Sequence, residues 1–208
     1  MKKRPLLIAL TVLLGLLLIA AAVVFVPILT HQSAGGSGQN LAATSGHTVT
    51  AVGEDGNTRT LTVTTAAGAP ADMQALHPGE VVTVHGTGYD SGIGIYVSFC
   101  QIPVAGGRPG PCLGEIPATE DLATAVQGQL LTSAWITDDL LWRQFATHGW
   151  QNAQAGEFKI DLLVPAVSSN GLDCTVTACA LVTRADHTAL KDRVQDIMLP
   201  VQFETVNQ

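Results

Sequence analysis

Between Leu6 and Leu29 the chain runs for 24 residues without a charge, and its only weak points are Thr11, Gly15 and Pro27. A helix of about 20 apolar residues spans a bilayer, whereas the apolar stretch of a cleavable signal peptide is only about 7–15 residues. Ala20-Ala21-Ala22 resembles a cleavage site, but Val23 to Leu29 extends the apolar run beyond it. Residues 1–29 therefore read as a retained signal anchor, a single transmembrane helix; cleavage would leave a secreted protein. Lys2, Lys3 and Arg4 precede the segment, and no Lys or Arg follows until Arg59. By the positive-inside rule the N-terminus stays in the cytoplasm and the C-terminal domain lies outside, at the cell membrane.

Of the ten Lys and Arg, three precede the apolar run, so seven remain against 17 Asp and Glu, a net charge of −10 outside. A nucleic-acid surface needs a basic footprint, and a polybasic contact with anionic lipid needs a basic cluster; this composition argues against both. All four cysteines, Cys100, Cys112, Cys174 and Cys179, lie in the exported part. An even number in an oxidising compartment reads as two disulfides. Three connectivities are open; proximity favours Cys100–Cys112 and Cys174–Cys179. The C-x11-C and C-x4-C spacings lack the C-x2-C pairs of a structural zinc site, so no metal is expected.

Residues 30–46, small and polar, read as a flexible tether. From His47 the pattern alternates. HTVTAV, the turn GEDGN and TRTLTVTT predict a hairpin. GEVVTVHGTGY predicts a strand with Val82 and Val84 on one side and Val81, Thr83 and His85 on the other. IYVSFCQI predicts the next strand, and PVAGGRPGPC a Pro/Gly loop. At about residues 113–155 the rhythm breaks into a partly helical insertion, with ATEDLATAVQ and TDDLLWRQFATHGW as short helices and Thr137 or Asp138 as an N-cap. GEFKIDLLVPA, CTVTACALVTR and IMLPVQFE predict three further strands, with ADHTALKDRVQD as a solvated, charged excursion. Short strands at this spacing make residues 47–208 an all-β sandwich.

GEVVTVHGTGYDSGIGIYVSFCQI, the short loop to Cys112, GEFKIDLLV and LDCTVTACAL together resemble the neocarzinostatin-like apoproteins of actinobacteria, over about Arg59 to Glu204. The resemblance implies a seven-stranded immunoglobulin-like sandwich with two local disulfides, one after the third strand and one tight x4 pair. IYVSFC, AWIT and CALVTRADHTALKDRVQDIMLPVQF also resemble a domain of secreted or membrane-anchored actinobacterial envelope proteins. Some of those carry haem-uptake modules, for which 208 residues leave no room here. The chromophore of the neocarzinostatin group is not implied: Gln101-Ile102 and Ala180 stand where that group has Ala-Trp and Gln after its cysteines.

No Gly-x-Ser-x-Gly and no His-Glu-x-x-His occurs, and no enzymatic activity or cofactor is expected. Asp186-His187 is the one adjacent carboxylate–imidazole pair, and it reads as part of a solvated loop. Trp135, Trp142 and Trp150, with Phe145, form the candidate patch for a ligand or partner. His85, Tyr89 and Tyr96 are the residue types that ligate haem in uptake proteins, which makes them candidate haem ligands. The expected function is a non-enzymatic envelope module that binds an envelope protein or an apolar small molecule, with a haem or hydrophobic-ligand carrier as the alternative.

Overall fold

The computed structural model describes residues 3–104, 106–114 and 131–204. Helix α1 (Lys3–Thr30) is apolar on every side from Leu7 onward. Its two hydroxyls bond back into the helix, Thr11 Oγ1 to the Leu7 carbonyl at 2.6 Å and Thr30 Oγ1 to the Val26 carbonyl at 2.7 Å. No side-chain polar group in its last six turns therefore needs water, as hydrocarbon requires. Leu7–Thr30 is long and apolar enough to cross a membrane, a property shared by membrane spans and signal sequences.

Ten strands follow. They are β1 (Thr48–Val52), β2 (Thr58–Thr65), β3 (Val81–Thr87), β4 (Ile95–Gln101), β5 (Ser133–Ile136), β6 (Phe158–Leu163), β7 (Ser168–Ser169), β8 (Leu172–Asp173), β9 (Cys179–Ala185) and β10 (Ile197–Val201). They form one sheet in the order β1-β2-β3-β6, a second in the order β10-β9-β4-β5, and a β7-β8 ribbon. Every pairing is antiparallel. The count of ten strands in three sheets exceeds the seven expected.

The alternation in the sequence explains the layers. Leu61 and Val63 of β2, Val82 and Val84 of β3, and Phe158, Ile160 and Leu162 of β6 point inward; they meet Ile95, Val97 and Phe99 of β4, Leu181 of β9, and Ile197 and Leu199 of β10 in one core. Gly86 of β3 is packed by the Phe158 ring, which stands where a Cβ would be, 2.1 Å from the nearest ring carbon. The β1–β2 hairpin forms as its sequence predicts, with Thr48–Thr62 and Thr50–Thr60 hydroxyl pairs on its outer face.

Three expectations are corrected. Residues 30–46, whose composition predicts a flexible tether, lie hydrogen-bonded along the domain. The Glu54 N–H donates to the Gly36 carbonyl (3.0 Å) and the Arg193 N–H to the Gly35 carbonyl (3.2 Å). The Gln39 side-chain amide pairs with the Met198 backbone on β10, donating at 2.5 Å and accepting at 2.8 Å. The glycines serve close approach: at Gly38 (φ +67°) a Cβ would sit 2.0 Å from the Val52 carbonyl oxygen.

The second correction concerns the insertion at 113–155. The expected helix 118–127 lies outside the described residues. Ser133–Ile136, within the insertion, is the edge strand β5, and 137–150 is a series of turns rather than a helix. Asp139, not Thr137 or Asp138, caps the first turn, its carboxylate accepting from the N–H groups of Leu141 and Trp142. Propagation stops because the open edge of β5 takes up the returning chain: the His148 N–H donates to Trp135 O and the Thr137 N–H to His148 O.

The third correction is the last pair of cysteines, expected on one strand. Only Cys179 is in β9. Cys174 to Ala178 turn instead, because the Asp173 carboxylate accepts from both the N–H and the hydroxyl of Thr175. Both disulfides have the pairing that proximity favours, Cys100–Cys112 and Cys174–Cys179. That engages all four sulfurs and leaves none for zinc.

Candidate functional site

The outer face of the second sheet is not left to water. After β4, residues 102–104 and 106–112 fold back across it and are held by the Cys100–Cys112 bond, the Gln101 N–H donating to the Pro111 carbonyl at 2.9 Å. Cys100, Ala180 and Val182 form a second small apolar cluster beneath this loop with Ile102, Cys112 and Met198. Beside it the described residues line a cleft of about 580 Å³. Tyr96, Ser98, Ser133 and Arg184 make its floor; Pro111 to Gly114 and Asn170, at the tip of the β7-β8 ribbon, make its walls.

Along the sheet from this cleft runs an aromatic cluster. Tyr96 on β4 and Trp135 on β5 are cross-strand partners with ring centroids 5.8 Å apart. His187 stands edge-on to both Trp135 (5.1 Å) and Trp142 (4.6 Å), and Phe145 adjoins Trp142 at 6.4 Å. Tyr96 Oη lies 3.0 Å from His187 Nδ1. The Arg184 guanidinium lies 5.9 Å from the centre of the Tyr96 ring. Burial, reinforced by the Asp186 charge, pushes the Tyr96 hydroxyl up to about 12. Burial and the neighbouring Arg108 charge lower the affinity of Arg184 for its proton. Arg184 Nε is buried with no hydrogen-bond partner among the described residues. The floor thus offers an aromatic ring, a phenol and one cation.

Three of the four candidate patch residues, Trp135, Trp142 and Phe145, come together here. Trp150 does not: it is buried between Tyr89 and Phe158 in the core. The candidate haem residues are likewise separated. His85 is on the outer face of the first sheet, its Nε2 2.9 Å from Glu157 Oε1; Tyr96 is on the outer face of the second. Tyr89 is buried between the sheets with its hydroxyl 3.1 Å from Thr183 Oγ1. Burial raises the Tyr89 hydroxyl far above the usual phenol range. No haem plane can meet residues on opposite faces of a sandwich, so these three do not form a ligand set.

The excursion 185–196, read from its charges as solvated, is folded inward; Asp186, Asp192, Gln195 and Asp196 are buried. Asp186 and His187 have different hydrogen-bond partners, His187 Nδ1 lying beside Tyr96 Oη. The Asp186 carboxylate accepts from Trp135 Nε1 (2.9 Å) and from the N–H and hydroxyl of Thr188, which caps a 3-10 turn at His187–Ala189. Its role is to orient the Trp135 indole. Asp192 accepts from the Ala34 and Val194 N–H groups at 3.0 and 2.9 Å and lies 3.0 Å from His31 Nε2. A further buried group is not among the residues the sequence singles out: the wholly buried Arg59, whose guanidinium donates to both Asp55 oxygens (3.0 and 2.6 Å) and to Gln195 Oε1 (2.8 Å).

Two of these carboxylates set opposite pH windows. Burial raises Asp196 to about 6 from an ordinary 3.8, against the pull of Arg193. A raised carboxylate favours the folded state while protonated, so this stability is complete below 3.8 and is lost as pH rises through 6. The hydrogen bond from Arg59 lowers Asp55 to about 2. Its stability is present above 3.8 and is lost as pH falls through 2. Asp196→Asn is expected to flatten the upper limb and to raise the melting temperature at pH 7, with the limb below 3.8 unchanged. Calorimetric scans from pH 2 to 7 check this; an upper limb retained in the variant contradicts it.

Compared with family models, curated proteins and solved structures, the chain matches none.

Proposed function

We propose that this protein is a membrane-anchored, extracytoplasmic, non-enzymatic binding module of a cell envelope, whose ligand is a flat apolar molecule seated in the cleft on the second sheet. The observation that carries the reading is the cleft itself, with Tyr96 and Arg184 on its floor and a disulfide-held loop as its wall. A binding site on loops over a rigid sandwich needs no moving parts and no perturbed acid–base pair.

The anchor is α1, retained, with its basic start in the cytoplasm. The domain is a neocarzinostatin-like, immunoglobulin-like sandwich. Strand order supports this: with β1 taken as an added hairpin partner and β7-β8 as a ribbon, seven strands remain, β2-β3-β6 facing β10-β9-β4-β5. The two short-range disulfides support it too. The chain departs from that group at the residues that hold its chromophore, so the ligand is a different one. Arg184 favours a ligand that carries an anionic group beside its apolar body.

Ser133 lies on the cleft floor at the edge strand, outside the core. The full chain in nanodiscs, titrated calorimetrically with 1-anilinonaphthalene-8-sulfonate against empty nanodiscs, is expected to show saturable binding. Ser133→Trp fills the cleft and is expected to weaken that binding by about tenfold or more, the equivalent of about 1.4 kcal/mol. Equal affinity in the variant refutes the cleft as the site. A Soret band on adding haemin, lost on replacing Tyr96, would favour the haem carrier instead.

A further inference from the structure

The turn after β5 presents apolar side chains outward. Leu140 is 92 % exposed, Leu141 42 % and Phe145 47 %, and Leu190, just past the His187–Ala189 turn, is 55 % exposed. Trp142 joins the two groups, its ring 4.6 Å from His187. Large apolar side chains exposed in these two neighbouring turns of a strongly acidic domain call for something to cover them.

Their position relative to α1 says what does. The His187–Ala189 turn is in contact with α1. Val24 and Ile28, one turn apart on one face of the helix end, are half-buried. His31, the first residue after the helix, lies 3.0 Å from Asp192, which also accepts from the Ala34 N–H. No free linker therefore separates helix from domain. The 24 apolar residues Leu7–Thr30 measure about 36 Å as a helix, against a hydrocarbon core of about 30 Å. The last turn of α1 then stands at the outer interface, and the turn packed against it stands there too.

We propose that Leu140, Leu141, Trp142, Phe145 and Leu190 seat in the outer leaflet of the bilayer that α1 spans, with Trp142 in the interfacial zone that tryptophan favours. This rests on α1 being a retained anchor, and is independent of what the cleft binds. The exposed Lys191 beside Leu190 can extend its ammonium to the headgroups. The net charge of −10 outside excludes attraction to anionic lipid, so the contact is an apolar one that anionic lipid weakens rather than strengthens. Its effect is to fix the domain against the membrane, with the cleft opening along the same sheet.

The chain carries its own probe. Its three tryptophans, Trp135, Trp142 and Trp150, all lie outside α1, whose one aromatic residue is Phe25. The full chain is purified from membranes, its intact mass measured, and placed in phosphatidylcholine nanodiscs containing lipid brominated on the acyl chain near the headgroup. Bromolipid is expected to quench part of the emission, iodide to leave that part alone, and Trp142→Phe to lose the bromolipid-sensitive part. Leu140→Ser with Leu141→Ser, both surface changes, keeps Trp142 and is expected to make it accessible to iodide and insensitive to bromolipid. An intact mass lacking residues 1–29 overturns the anchor and this proposal together. Full-length protein whose emission ignores bromolipid, or whose quenching survives Trp142→Phe, overturns this proposal alone and assigns the patch to a protein partner.

Discussion

Replacing Arg59 with alanine is expected to cost roughly 3–5 kcal/mol, the scale for breaking a buried ion pair by removing one partner. Arg59 has no exposed surface and makes three charge-assisted bonds, two to Asp55 and one to Gln195. Its loss leaves the Asp55 carboxylate, only 15 % exposed, without its countercharge. It also frees Gln195, whose amide otherwise holds the Asp90 carbonyl at 2.8 Å. The β1–β2 turn and the β9–β10 connection would lose the group that joins them. Because the cost comes largely from the stranded partner, Arg59→Met combined with Asp55→Ala is expected to be milder than Arg59→Ala. Urea unfolding of the three proteins measures this, and a double variant as damaged as the single one contradicts it.

Opening the Cys100–Cys112 bond by a pair of serines has the second large expected effect. The bond closes a separation of 12 residues, for which the chain-entropy account gives roughly 3 kcal/mol. The structural consequence is local. Ile102 and Cys112 of this loop cover Cys100, Ala180 and Val182, and Pro111 and Cys112 belong to one wall of the cleft. Freed from its cross-link, the loop no longer holds that wall in place. Binding of the naphthalene sulfonate is expected to fall even at temperatures where the variant is fully folded. The Cys174–Cys179 pair lines a different depression, beside Val201 and Phe203. Its removal is expected to leave cleft binding intact. Thermal melts with the binding titration separate the two; equal loss of binding from both removals would mean that the effect is global.

Much of the sandwich was legible because strand alternation is a local signal. Val82 and Val84, or Phe158, Ile160 and Leu162, declare their buried face by spacing alone. The same alternation puts Arg59 on the face of Leu61 and Val63, yet a charge there reads as an exception, since its partner Gln195 is 136 residues away. The excursion 185–196 misleads for a related reason. Its aspartates look solvated by composition, but the N–H groups that satisfy them belong to backbone turns and to Ala34 on a distant segment. The turn at 137–150 has helical composition and a cap, but β5 offers an unpaired edge whose hydrogen bonds reach the chain first.

The apolar run that opens the chain, the basic residues before it, the strand faces and the disulfide pairing follow from residues close together in sequence, because each depends on spacing, hydropathy or short loop closure. Where α1 meets the domain was decided elsewhere. A segment rich in glycine and serine looks free until Asp192 and Met198 supply partners for its backbone and its glutamine. That step needs the tertiary fold, since only there do residues more than 150 positions apart become neighbours. It turns a tethered domain into one held against the end of its own helix.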